Sequence, residues 1–338
     1  MIQIGIIGAG RIGKVHCESI MRYVKGATVA AMADPFINEQ TEEWIRQIGV
    51  PRIERDYRKL LDDSSIDAVL ICSSTDTHAQ ISLEAIAAGK HVFCEKPIDH
   101  SVEKILQVRD ALVGKRLCYQ VGFNRRFDHN FAAVRTAIAD GKIGDLNVLR
   151  ICSRDPQAPP VSYIRVSGGI FLDMTIHDFD MVRYLSGDEI ESVFAAGGVL
   201  VDPAIGDAGD VDTAVVTLRL RSGALAVIDN CRRSVYGYDQ RAEAFGALGQ
   251  VAISNDTSSN AVLSDAHGVT AEKPLLFFLE RYMQAYVAEI SDFVRCIERG
   301  EPAPVGIEDG LQAVRIGLAA KRSLETGRPV ALSEIEGE

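Results

Sequence analysis

Ile4-Gly5-Ile6-Ile7-Gly8-Ala9-Gly10-Arg11-Ile12-Gly13 decides the fold. Ile4 to Ile7 read as a buried strand that runs straight into a Gly-x-Gly-x-x-Gly turn. Gly8 permits the tight turn, Gly10 lets the backbone approach a pyrophosphate, and Gly13 allows close packing of the following helix, whose N-terminal amides point at the anion. Arg11 and Ile12 lie in that first helical turn and join the candidate cofactor-binding set. Alone, such a turn is weak evidence, but this one opens a βαβ pattern. A second apolar strand at 28–33 ends in Asp34, about 20 residues past the last glycine, where a ribose-binding acid belongs. The Asp34 carboxylate can accept bonds from ribose hydroxyls but repels the 2'-phosphate of NADP, and Pro35 offers no compensating cation, so NAD is expected and NADP disfavoured.

Composition narrows the remaining classes. The 338 residues suffice for two domains with sizeable cores, and 47% hydrophobic with 25% charged residues is ordinary for a globular chain. The net charge of -11 has no basic run to offset it, so neither nucleic acid nor an anionic membrane surface is an expected partner. No apolar stretch approaches the roughly 18 residues of a membrane span. The chain starts directly in its first core strand, so no signal peptide and a cytoplasmic location are expected. Seven cysteines, scattered from Cys17 to Cys296 without a CxxC pair, read as reduced thiols, and seven histidines without HxxxH spacing leave no metal expected.

Outward from the opening turn, strands and helices alternate. Apolar runs at 68–72, 91–94 and 117–122 accompany a helical pattern at 79–88 closed by Gly89. Such alternation predicts a parallel sheet covered by helices on both faces. Beyond residue 124 the period changes to two: 145–154 alternates apolar and polar residues, and 213–220, 225–230 and 241–245 do so more loosely. These predict half-exposed, antiparallel strands. Helical patterns return at 280–299 and 307–326, each ending at a glycine. Pro156, Pro159 and Pro160 and the Gly- and Asp-rich stretch 202–212 read as loops, and no repeat or low-complexity tract is visible. The expectation is an α/β protein with a doubly wound parallel sheet in 1–123. An α+β domain with an open, largely antiparallel sheet follows in 124–338, its C-terminal helix packing back on the first domain.

Two constellations carry chemistry. Glu95-Lys96-Pro97 follows the fifth apparent strand, at the carboxyl end of the sheet where doubly wound folds bind ligands. Alone it reads as a surface turn. Beside the Gly-rich turn it reads as functional, because a lysine there can reach a bound nicotinamide and a substrate hydroxyl together, on a backbone restrained by the proline. The second constellation runs from Gly168-Gly169-Ile170-Phe171-Leu172-Asp173 through Met174-Thr175-Ile176-His177 to Asp178-Phe179-Asp180. Read as one helix at about 100° per residue, it is apolar on two sides, with Leu172, Ile176 and Phe179 on one and Ile170, Met174, Met181 and Leu185 on the other. Between them lies a stripe of Asp173, His177, Asp180 and Tyr184, costly unless it lines a cleft or is fully hydrogen-bonded. A carboxylate one turn from a histidine orients the imidazole for acid–base work; a buried, satisfied pair is the other reading. Asp178 breaks the apolar wall without an evident role.

Weaker patterns add candidates. Ser73-Ser74-Thr75-Asp76-Thr77-His78 leads from the fourth strand into a helix. Ser73, Thr75 and His78 are candidate cofactor contacts, as is Glu95, while Thr75 or Asp76 serves equally as an N-cap. Arg125, in Asn124-Arg125-Arg126-Phe127 at the domain junction, faces either substrate or surface carboxylates. Tyr236 can stand over a ligand ring or belong to a hairpin turn. Asp155 and Gln157 are candidates for hydroxyl recognition on what is otherwise a surface loop.

Together, GAGRIG, Glu95-Lys96-Pro97, the Gly-Phe-Asn-Arg-Arg-Phe run and Gly-Gly-Ile-Phe-Leu-Asp-Met-Thr-Ile-His resemble the glucose-fructose oxidoreductase and inositol dehydrogenase family over nearly the whole chain. The Asp-Met-Thr-Ile-His-Asp-Phe-Asp wording is most similar to the inositol 2-dehydrogenases. The resemblance implies an N-terminal Rossmann domain, a C-terminal open sheet that builds a homotetramer, and NAD-linked oxidation of a cyclic polyol or sugar. It also implies that Lys96, Asp173 and His177 are catalytic and that Tyr236 touches substrate. Many members have Thr-Pro-Asn where this chain has Ser73-Ser74-Thr75, so contacts at that loop differ. Two rival readings stand beside an inositol dehydrogenase: an aldose dehydrogenase of the same family, and a non-catalytic NAD-binding sensor, against which the presence of both Lys96 and His177 argues.

Overall fold

The opening apolar run Ile2–Ile7 is strand β1 at the centre of a parallel sheet. Its companions are β2 (Ala27–Ala33), β3 (Ile53–Glu54), β4 (Ala68–Ile71), β5 (His91–Cys94) and β6 (Tyr119–Val121), in the order β3-β2-β1-β4-β5-β6. The computed structural model describes residues 1–335. The strand order reverses between β1 and β4, so the crevice at their carboxyl ends is where a doubly wound sheet takes its ligand. Connecting helices are α1 (Arg11–Arg22), α2 (Glu39–Gln47), α3 (Arg58–Leu61), α4 (Thr75–Ala87) and α5 (Val102–Leu112). Val69, Leu70 and Ile71 of β4 and Ile4 and Ile6 of β1 are fully buried, the continuous apolar run of strands covered on both faces.

The second sheet has seven strands. They are β7 (Leu146–Arg154), β8 (Ile190–Gly198), β9 (Thr213–Leu220), β10 (Leu225–Cys231), β11 (Asp239–Gly246), β12 (Gly249–Ile253) and, beyond the hairpin β13 (Val262–Asp265) and β14 (Gly268–Ala271), β15 (Val330–Ala331). The order is β12-β11-β7-β10-β9-β8-β15. The sheet is largely antiparallel, as expected, with one parallel pairing: β10 runs parallel to β7, while the other pairings are antiparallel. Strands β7 and β10 are neighbours in the sheet but far apart in the chain, and the long connection between them is what a parallel pair requires. Helices of this part are α6 (His129–Ala139), α7 (Val161–Ile164), α8 (Gly169–Asp173), α9 (Ile176–Ser186), α10 (Pro203–Asp207) and α11 (Phe278–Arg281). Burial alternates strictly along β9, so one sheet face is covered and the other open. The open face carries Phe194, Val215, Leu225 and Phe245, each between 40% and 49% exposed.

Two compact units result, one of Met1–Phe127 with Met283–Val314, the other of Asp128–Tyr282 with residues 315–335. The chain therefore returns to the first unit through α12 (Met283–Arg299) and the start of α13 (Ile307–Thr326). Ile290, Phe293 and Val294 of α12 join Ile4, Leu70 and Phe93 in one buried cluster. Two local expectations are corrected. The helix expected over 280–299 is interrupted at Tyr282, because Arg281 is buried and engages both carboxylate oxygens of Asp128, the N-cap of α6. Within 202–212, expected to be loop, Asp202 caps Ala204 N–H at 2.9 Å and Pro203 starts α10.

Candidate active site

The Gly-rich turn has the geometry of an anion cradle. Gly8 has φ +106, and a Cβ there would lie 2.4 Å from the Cys72 carbonyl oxygen; at Gly13 a Cβ would meet Gly8 O at 2.1 Å. At Gly10, the N-cap of α1, a Cβ would meet nothing within 4 Å. Two glycines are thus required by neighbouring backbone, and the third fronts open space at a helix N-terminus with no acid in its first turn, which suits a pyrophosphate. Asp34 faces the same turn: its Oδ2 accepts Ala9 N–H at 2.7 Å and its Oδ1 accepts Phe36 N–H at 2.8 Å. Each oxygen keeps a lone pair for a ribose hydroxyl.

Around the β4 and β5 termini the candidates separate. Ser74, not Thr75 or Asp76, is the N-cap of α4, and it makes no side-chain cap bond. Ser73 Oγ and Thr77 Oγ1 are 2.7 Å apart. His78, read as a cofactor contact, is instead a clasp. Its Nδ1 bonds the Pro97 carbonyl at 2.8 Å and its Nε2 the Ser73 carbonyl at 3.0 Å, so neither nitrogen is available to a ligand. Burial pulls the His78 pKa down, but Cys94 and the two carbonyls outweigh it and lift it to about 9. A raised folded-state pKa stabilises fully below the ring's ordinary 6.5 and ceases to do so as pH rises through about 9. The melting-temperature gap between wild type and His78→Gln is therefore expected to be widest near about pH 6 and to close toward alkaline pH; a pH-independent gap would mean a neutral ring. Lys96 is half-buried and joined to Pro97 by a cis peptide bond. The Glu95 carboxylate, a second cofactor candidate, turns inward to His16 Nε2 at 2.6 Å instead.

In the second unit, the stretch read as one helix is two. Gly168 and Gly169 have φ of +85 and +80, and a Cβ on Gly169 would lie 2.8 Å from Asp210 Oδ1, which accepts Ile170 N–H at 3.1 Å. The double glycine thus lets Asp210 anchor the start of α8. Helix α8 ends at Asp173 and α9 begins at Ile176. Between them Thr175 Oγ1 bonds the Ile170 carbonyl at 3.2 Å and Asn230 Oδ1 at 2.6 Å, a side-chain alternative that competes with continuous helix. Asp173 therefore closes one helix and His177 sits in the first turn of the next, both half-buried. Asp173 Oδ1 accepts the Tyr163 hydroxyl at 2.9 Å and Oδ2 accepts Arg232 Nη1 at 3.2 Å. Arg232 is 1% exposed and also faces Asp210 Oδ2 at 3.6 Å. Neither Arg232 nor Tyr163 carries a sequence signal, since an arginine just after an alternating strand has no pattern of its own. Asp178 acquires a role: fully buried, it accepts Ser153 Oγ at 2.6 Å and Asn230 Nδ2 at 2.8 Å, pinning α9 to the sheet.

The remaining candidates do not all gather there. Ser153 and Asn230 face α9, so their strand neighbours Arg154 and Asp229 point to the opposite sheet face. Tyr236 belongs with the latter: its hydroxyl donates to Asp239 Oδ2 at 2.6 Å and accepts Arg154 Nη1 at 3.1 Å. It borders an open cavity of about 450 Å³ with Arg154, Asp229 and Cys231, away from His177. Asp155 is half-buried with its N–H on the Cys231 carbonyl at 3.0 Å, and Gln157 is exposed. Arg125 is 3% exposed, which removes the surface-carboxylate reading, whereas Arg126 pairs with Asp309 at 2.8 Å.

Fold and residues define a nicotinamide-cofactor oxidoreductase, and comparison with known proteins narrows this. The oxidoreductase family NAD-binding Rossmann fold matches residues 2–123, and the GFO/IDH/MocA C-terminal domain matches 131–252. The chain belongs to the GFO/IDH/MocA family of oxidoreductases, and its first unit is an NAD-binding Rossmann domain. It is 48% identical over 336 residues to the myo-inositol 2-dehydrogenase of Thermotoga maritima, covering 99% of this chain and 100% of that one. It is 45% identical over 333 residues to the inositol 2-dehydrogenase of Rhizobium meliloti, covering 98% and 99%. The crystal structure of the scyllo-inositol dehydrogenase from Lactobacillus casei with bound NAD(H) and scyllo-inositol superposes with a TM-score of 0.91 at 31% identity, covering 98% and 99%. No helix among the described residues is long and apolar enough to cross a membrane.

Proposed function

We propose that this chain is an NAD-dependent inositol 2-dehydrogenase that oxidises a ring hydroxyl of myo- or scyllo-inositol to the inosose. The observation that carries the reading is the full-length likeness to inositol dehydrogenases in a chain that presents an NAD cradle together with Lys96, Asp173 and His177. Gly8, Gly10, Gly13 and the amides of Arg11 and Ile12 fit the pyrophosphate, and Asp34 fits the adenosine ribose. Bound there, NAD supplies the hydride acceptor. His177 removes the hydroxyl proton, Lys96 steadies the developing alkoxide through its charge, and Asp173, itself held by Tyr163 and Arg232, serves as the acidic partner of that pair. Half-exposed apolar side chains on the open sheet face support a homotetramer that covers them, checked by light scattering on the purified protein. Seven free cysteines support a cytoplasmic location.

The test is NADH absorbance at alkaline pH with myo-inositol, scyllo-inositol, D-glucose and L-glucose, each repeated with NADP. Turnover on an inositol with NAD is expected. Turnover only on glucose would move the function to an aldose dehydrogenase, and none on any would favour the sensor. Cofactor choice is assigned to Asp34, whose carboxylate disfavours a 2'-phosphate. Asp34→Ser is expected to weaken NAD binding by roughly tenfold, the loss of about one charged hydrogen bond, and to narrow the preference over NADP. An unchanged NAD-to-NADP ratio of kcat/KM would remove Asp34 from cofactor selection.

A further inference from the structure

Next to the Lys96 turn lies a group of ionisable side chains that the reaction above does not use. His16 of α1, Glu95 and Glu289 of α12 meet inside the first unit, with one ligand atom from each lying within 4.8 Å of the others. His16 and Glu289 are 0% exposed and Glu95 is 8% exposed. His16 and Glu95 are hydrogen-bonded, while neither side-chain oxygen of Glu289 has a partner among the described residues. The space is shaped for them: a Cβ on Gly122 would lie 2.9 Å from Glu95 Oε2, and the rings of Phe93 and Tyr286 stand edge-on to His16.

We propose that Glu289 is a positioning residue of the dehydrogenase, acting through Glu95 on Lys96. The proposal rests on the role given to Lys96 above. Two ionised carboxylates beside one histidine would leave a buried charge uncompensated. Burial, reinforced by the charge of Glu95, raises the Glu289 carboxyl well above its ordinary value, so it keeps its proton, and the Glu95 carboxylate, an oxygen of which lies within 4.8 Å, is the acceptor beside it. The titratable groups around the cluster are His16 from α1, Cys72 after β4, Cys94 of β5 and Tyr286 on the same helix as Glu289. Gln120 of β6 donates to the backbone carbonyl of Glu289 at 2.9 Å, and the turn Asn124–Phe127, which packs on α12, brings the buried Arg125. Glu95 directly follows β5, its N–H still bonded to the Ile71 carbonyl at 3.0 Å, and Lys96 is the next residue of the chain. A Glu95 carboxylate drawn inward to His16, with protonated Glu289 beside it, therefore restrains the backbone from which Lys96 departs.

Glu289→Gln keeps a neutral donor of the same shape, whereas Glu289→Leu and Glu289→Met remove the donor and keep bulk. Both apolar variants are expected to lose roughly 10²-fold in kcat through displacement of Lys96, with unchanged KM for NAD and a melting temperature no lower than wild type, while Glu289→Gln stays within about twofold. A second readout needs no substrate: the ¹³C shift of reductively methylated Lys96, assigned by its loss in Lys96→Arg, should move in the apolar variants and not in Glu289→Gln. If wild type oxidises no inositol but the Lys96 shift behaves this way, the substrate reading fails and the positioning role stands. Unchanged kcat and Lys96 shift in the apolar variants overturns the role. An equal loss of kcat in Glu289→Gln also does, as does one stoichiometric metal ion in the purified protein, which would put a cation where the proton is assigned.

Discussion

Replacing His177 by alanine is expected to lower turnover by about 10²- to 10⁴-fold while leaving NAD affinity unchanged. Oxidation of a secondary alcohol requires the hydroxyl proton to leave as the hydride does, and without the imidazole that proton must pass to water. The effect belongs in kcat because the residues assigned to the pyrophosphate and ribose are Gly8, Gly10, Gly13 and Asp34, none of which the substitution alters. Steady-state kinetics on the best inositol, together with a fluorescence titration of NADH, separates the two quantities. Near-normal turnover with an unaltered pH profile would take His177 out of the mechanism. Weakened NADH binding at normal kcat would make it a binding residue.

Legibility in the sequence followed the range of the interactions involved. The Gly-rich turn could be read because its constraints are local: φ at Gly8 and close backbone at Gly13 act within a few residues of chain, and the β1-to-β4 switch point follows from apolar runs. The break between α8 and α9 could not be read, since it depends on Thr175 finding Asn230, 55 residues later. His78 misled for a similar reason. A histidine entering a helix beside a cofactor loop looks like a ligand until Pro97 and Ser73 are seen to hold both its nitrogens. The bond between Tyr236 and Arg154 spans 82 residues, so the surroundings of that hydroxyl could not be read from its own turn. The Arg232 partnership with Asp173 spans 59 residues, beyond any periodicity argument.

That partnership carries the largest expected effect on stability. Arg232→Met is expected to cost roughly 3–5 kcal/mol, the range for breaking a buried ion pair from one side. The side chain of Arg232 is 1% exposed, and its carboxylate partners Asp173 and Asp210 are only 14% and 12% exposed, so water cannot substitute for the guanidinium. Removing it leaves two carboxylates in a space of low dielectric constant with the Tyr163 hydroxyl as the remaining side-chain donor named at Asp173. Asp210 also holds the N–H of Ile170, so the start of α8 is strained in the same step. Urea unfolding of Arg232→Met measures the loss. Adding Asp210→Asn to that variant should recover part of it, because one of the two unpaired charges is gone, whereas lost packing alone would not be recovered. A cost under about 1 kcal/mol would mean that Asp173 and Asp210 reach solvent without help, and that Arg232 is not needed to keep those carboxylates ordered.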